Sequence, residues 1–152
     1  WKLYKSEKIK TTNEKRNSIR FLSKAARFFT VGASGFIVNY VISTLLTSGL
    51  TDFWYIHANI FGIIVSISTN FILNKVWTFE DRDFTPKKTL LQFGKFSIFS
   101  SLGALIQLGM VFWLVDYYDI SYPLALILAI TTAALSNFIL NKKLTFKEKL
   151  WN

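Results

Sequence analysis

"NFILNKVWTF" spans Asn70–Phe79 and "NFILNKKLTF" spans Asn137–Phe146. Eight of the ten positions agree at a spacing of 67 residues, which points to a duplicated unit rather than a chance match. Carried backwards, the same offset maps Gly62, Ser66, Asn70 and Asn74 onto Ala129, Ala133, Asn137 and Asn141. With a one-residue adjustment, Gly32, Gly35 and Asn39 correspond to Ser100, Gly103 and Gln107. Residues four apart share one face of a helix. Each copy therefore reads as two helices, each with a stripe of small and polar side chains.

The helices are of membrane type. Uncharged stretches run over Phe28–Thr51, Phe53–Asn74, Phe96–Val115 and Ile120–Asn141. About 20 helical residues cross a hydrocarbon core of roughly 30 Å, and a soluble amphipathic helix would show a charged face that these stretches lack. The 51% hydrophobic content and 15 Phe fit that reading. The expected fold is all-α and integral to the membrane, with four spans forming two parallel-repeat hairpins at about residues 27–79 and 95–146. Residues 1–27 read as a basic juxtamembrane linker forming an interfacial helix, residues 28–147 as the transmembrane domain and residues 148–152 as a tail. In the lead-in, Ile19, Leu22, Ala26 and Phe29 recur at helical spacing, with Arg16, Arg20, Lys24 and Arg27 on other faces. A solvated charge run is the plainer alternative. With no initiator Met, Trp1 suggests a chain cut from something longer.

Charge sets the orientation. Nine of the 18 basic residues precede Phe28, five lie between Lys75 and Lys95, and four follow at Lys142, Lys143, Lys147 and Lys149. The connectors after spans one and three carry only Asp52, Asp116 and Asp119. The positive-inside rule then puts both termini and the central loop in the cytoplasm. Trp54, Tyr55, Tyr117, Tyr118 and Tyr122 would form an outer aromatic belt, with Trp77, Phe79 and Phe146 at the inner boundary. This segregation, rather than nucleic-acid binding, accounts for the net charge of +9.

Chemistry is sparse. The chain has no cysteine and one histidine, His57, so neither a metal site nor a cofactor is expected. Asp81-Arg82-Asp83 spells a D-x-D, but metal-dependent glycosyl transfer needs a nucleotide-binding domain behind it, and the match is read as accidental. No catalytic residue is assigned. Asn39, Asn70, Gln107 and Asn137 read as helix-packing amides or a polar lining, since lipid gives helices no hydrophobic drive to associate and small and amide side chains fill that role. Asn74, Lys75, Asn141, Lys142, Lys143 and Arg27 form a candidate lipid-phosphate site at the cytoplasmic edge, with ordinary snorkelling as the alternative.

Four spans in two hairpins, a basic lead-in and the F-x-x-N-x-x-W-T-F ending Phe71–Phe79 resemble the GtrA-like family over about Lys24–Lys147. Two departures are Leu144 in place of Trp77 in the second copy and the long lead-in. The resemblance implies work with polyprenyl- or dolichyl-phosphate-linked sugars in cell-surface polysaccharide or glycoprotein synthesis. It also implies similarity to the membrane domain of polyprenyl- or dolichol-phosphate mannose synthases. Two roles stay open: a non-catalytic anchor and lipid platform for a glycosyltransferase domain in cis or in trans, or a translocator (flippase) of the lipid-linked sugar. A homo-oligomer is a further possible partner state.

Overall fold

A computed structural model of the chain describes residues 2–48 and 55–149. They form helix α1 (Lys2–Ser48), helix α2 (Tyr55–Leu73) closed by a π-turn at Asn74–Thr78, helix α3 (Pro86–Tyr118), and helix α4 (Tyr122–Leu140) closed by a second π-turn at Asn141–Thr145. Each helix is long and apolar enough to cross a membrane. Large apolar side chains along the middle of the helices, such as Phe36, Ile60, Leu105, Phe112 and Ile127, point outward. That inversion suits a lipid solvent and not water.

Local chemistry sets the boundaries. The chain's two prolines stand in the first turns of α3 and α4, where a missing N–H costs nothing and the fixed φ favours the helix. Asp119, at φ 51°, ends α3 in the left-handed region, which Asp tolerates better than most residues. Nothing of this kind interrupts α1. It runs unbroken for 47 residues, about 70 Å. The expected interfacial helix is thus not a separate element but the first half of the helix that continues into the first span. No Pro or Gly lies before Gly32 to break it.

Pairing is antiparallel within each half. On α1, Gly35 meets Ser66 and Asn70 of α2 while Arg27 meets Trp77. On α3, Gly103 meets Ala133 and Asn137 of α4 while Lys95 meets Leu144. The small-residue stripes form these seams: Gly62, Ser66, Asn74, Ala125, Ala129, Ala133 and Asn141 are buried. Gly32 is exposed and lies outside the seam.

The halves join through phenylalanine. Phe28, Phe71, Phe79, Phe96 and Phe138 form one buried cluster, to which Phe146 adds. Phe79 and Phe146, at matching positions of the two quoted motifs, stack at 4.2 Å. Phe71 lies 5.7 Å from Phe96, and its counterpart Phe138 lies 5.4 Å from Phe28. Aromatic pairs of this kind contribute about 0.5–1.5 kcal/mol each beyond area burial. Phe79 and Phe146 therefore serve the core rather than an interfacial belt. Tyr117, Tyr118 and Tyr122 are exposed as a belt requires, and Trp54 lies outside the described residues.

Candidate functional site

Both quoted motifs end their helices in the same hydrogen-bonded knot. Asn74 donates from Nδ2 to the Asn70 carbonyl (2.9 Å), and its Oδ1 accepts from the Thr78 hydroxyl (2.8 Å). Asn141 donates to the Asn137 carbonyl (2.9 Å) and accepts from Thr145 (2.9 Å). The amides of Phe79 and Phe146 reach back five residues to the Asn74 and Asn141 carbonyls, widening the last turn into a π-turn. Glu80 and Lys147, both at φ 55°, then reverse the chain, so that the Asp81 and Glu148 amides bond the Lys75 and Lys142 carbonyls. The asparagines thus close the backbone and hold the turns.

The reversal brings an acid over each lysine. Lys75 is fully buried, with its ammonium 3.0 Å from Asp81 and donating to Gln92 Oε1 at 2.7 Å. Gln92 donates in turn to Asp81 (2.8 Å), and Lys88 lies 3.2 Å from the same carboxylate. Burial alone would raise the Asp81 carboxyl. The hydrogen bonds from Gln92, the Asp83 backbone, Lys75 and Lys88 outweigh it and hold the group well below the usual carboxylate range. Asp83 accepts from the Thr85 hydroxyl and amide and from Lys88, which brings it down to about 2. Both carboxylates of the D-x-D are thereby engaged with side chains of this chain.

The second copy is built alike but opens outward. Lys142, 3% exposed, lies 2.8 Å from one oxygen of Glu148, while Lys24 of α1 holds the other at 2.6 Å. These three residues form the inner wall of a cleft of about 780 Å³ between α1 and the segment after α4. Arg20, Arg27, Lys147 and Lys149 line the rest, with Glu80 paired to Arg27 at 3.0 Å. Six cations thus face two carboxylates, an arrangement suited to an anion.

Of the residues singled out in the sequence, Arg27 and Lys142 meet in this cleft. Lys75, Asn74 and Asn141 sit in the buried knots. Lys143 is exposed and does not line the cleft. Asn39 and Gln107 are half-buried on α1 and α3, and Asn70 and Asn137 face Gly35 and Gly103 in the two seams. The sequence reading sets Asp81 aside as part of an accidental D-x-D and does not single out Gln92 or Glu148. A signal is present: both lysines have an acid six residues later, two residues past the end of each quoted motif.

A profile of the GtrA/DPMS transmembrane domain matches residues 27–146, well over half of the chain. This chain belongs to the GtrA/DPMS transmembrane-domain family. Its four apolar helices are accordingly the spans of a multi-pass integral membrane protein. The matched range takes in both asparagine knots, the Lys75–Asp81 pair and Lys142, with Glu148 two residues past its end, and it begins at Arg27, on the wall of the cleft. No curated protein matches the chain as a named relative.

Proposed function

We propose that this GtrA/DPMS domain is a non-catalytic membrane anchor and lipid platform working with polyprenyl- or dolichyl-phosphate-linked sugars, and that its basic cleft takes the phosphate of the sugar-free lipid carrier. It would serve a glycosyltransferase domain carried in cis or recruited in trans. The observation that carries this reading is the cleft itself, an excess of cations at the end of a lipid-embedded bundle in a family tied to such lipids. Arg27 and Lys142 belong to this phosphate site. Lys75, Asn74 and Asn141 support it by fixing the turns, and Lys143 adds attraction from outside. The placement of Asn70 and Asn137 in helix seams favours a platform over a translocator, which would need polar groups along an open path.

In this reading both termini and the cleft face the cytoplasm, where activated sugars are made, and the two hairpins are parallel repeats related by an axis along the membrane normal. The matched Phe79–Phe146 stack and the matched knots support that relation. A cysteine at Thr85 should resist an impermeant thiol reagent in intact cells, whereas one at Ser121 should react. Labelling at Thr85 would overturn the orientation.

Arg20 and Lys149 line the cleft and make no ion pair among the described residues, so their replacement leaves no orphaned partner. Changing both to Gln should weaken binding of a polyprenyl monophosphate in nanodiscs by about tenfold, roughly 1.4 kcal/mol. The loss should shrink at high salt, because exposed charges are screened. Unchanged affinity would remove the cleft from the phosphate site.

A further inference from the structure

We infer that Glu148 is a displaceable internal ligand: its carboxylate occupies the place between Lys24 and Lys142 that one phosphate ester takes when the cleft is loaded. The inference rests on the cleft being the phosphate site, and it adds how that site is kept closed and why only one copy of the repeat serves as one.

Lys142 is almost wholly buried, and an ammonium so placed needs an anion at all times. Glu148 supplies it, but one carboxylate shared by two ammoniums leaves a surplus positive charge. The phosphate of the sugar-free lipid carrier is a monoester, with about −1.5 to −2 charges at neutral pH and three acceptor oxygens. Two of its oxygens can reproduce the contacts to Lys24 and Lys142, with the third left for Arg20, one helical turn from Lys24 on α1. The exchange therefore neutralises what the carboxylate does not.

The first copy shows what a sealed version looks like. Gln92 stands where Lys24 stands in the second copy, under the offset of 68 that also relates Gly35 to Gly103. It is neutral, it bonds both Lys75 and Asp81, and it leaves no surplus charge between them. Lys88 covers the outer side of Asp81, and the Lys75 side chain is inaccessible. In the second copy the Lys24 and Glu148 side chains are 22% and 23% exposed, so an anion in the cleft reaches both. Among the described residues the Glu148 carboxylate is held by Lys24 and Lys142 alone, whereas Asp81 also binds Gln92 and Lys88. Replacing Glu148 as a ligand therefore disturbs little else.

The test measures binding of farnesyl phosphate and of inorganic phosphate to the whole chain in nanodiscs. Glu148→Gln removes the internal competitor and should tighten farnesyl phosphate binding about tenfold, while Lys24→Gln should weaken it by a similar factor. Glu80→Gln removes an equal charge from the cleft but releases only Arg27, and should tighten binding by no more than about twofold. Because Glu148→Gln leaves Lys142 unpaired, its melting temperature should fall without ligand and rise more on adding farnesyl phosphate than the parent's does. Tightening toward both probes identifies the phosphate group as the ligand; tightening toward farnesyl phosphate alone identifies a lipid headgroup. If the parent binds and Glu148→Gln binds no better, the exchange is wrong and the cleft reading stands. If neither binds, both fall.

Discussion

Replacing Asp81 by Asn should lower the stability of the bundle by about 3 kcal/mol, the low end of what breaking a buried ion pair costs. The residue looks dispensable in the sequence, a loop aspartate beside a membrane span. Its carboxylate nevertheless answers the ammonium of Lys75, which has no accessible surface. Without Asp81 that charge keeps the Gln92 oxygen and the face of the Phe84 ring, 5.2 Å away, which is why the low end of the range applies. Replacing both partners, Lys75→Met with Asp81→Leu, should recover most of the loss, because an apolar pair of similar size carries no desolvation cost. The pH dependence has a defined sign. The Asp81 carboxyl is depressed in the folded chain, so its contribution is complete above its unfolded value near 3.8 and is lost as pH falls through the lower folded value. The melting temperature of the parent should stay flat from about pH 8 to 5 and decline below about pH 4, and the Asp81→Asn variant should lack that decline in part. Thermal unfolding in detergent across this range checks both statements. A variant within 1 kcal/mol of the parent would show that Lys75 finds its counter-charge elsewhere.

The spans and packing seams were legible in the sequence because lipid imposes simple rules: length, absence of charge, and small residues four apart. The continuity of α1 was not. A polar helix and an apolar one share the same backbone, so the change of hydropathy near Arg27 marks a change of solvent and no break. The π-turns were hidden for another reason. They arise when Phe79 and Phe146 reach back five residues instead of four, a choice settled by the Asn–Thr side-chain bonds and by the stacked rings, not by local propensity. Lys75 and Lys142 carried the largest ambiguity. Basic residues at a span end look the same whether they snorkel, bind phosphate or pair, and only the folded reversal at Glu80 and Lys147 brings Asp81 and Glu148 over them. The difference between Gln92 and Lys24 was visible as letters, but its meaning depends on knowing that both sit over a lysine–acid pair.

Gly35→Ala should cost about 1–2 kcal/mol, although it adds a single methyl to a helix and Ala is the better helix former. A Cβ at Gly35 would stand 2.2 Å from Nδ2 and 2.5 Å from Oδ1 of Asn70, far inside contact distance. The neighbouring bond from Ser66 to the Gly35 carbonyl, at 2.7 Å, pins the two helices at this separation. Backing away would therefore break a buried hydrogen bond. All the close atoms belong to the Asn70 side chain, whose Oδ1 has no hydrogen-bond partner among the described residues to hold it, so relief comes from turning that amide rather than from separating the helices. The second copy provides the internal control. At Gly103 the nearest atoms are the Ala133 carbonyl and the Asn137 Cβ, both 3.6 Å away, and the Asn137 Oδ1 accepts from Asn141 at 2.7 Å. Gly103→Ala should accordingly change stability by under about 1 kcal/mol. Because the Gly35 clash is with one side chain, Asn70→Ala should rescue it: the single change removes an orphaned oxygen, and the double change lets the new methyl fill the vacated space. A double-mutant cycle by thermal unfolding in detergent should return a coupling of about 1–2 kcal/mol between Gly35 and Asn70 and none between Gly103 and Asn70. Additive effects at Gly35 and Asn70 would mean that the seam widens freely, and the close approach of α1 to α2 would then not be what holds this half of the bundle together.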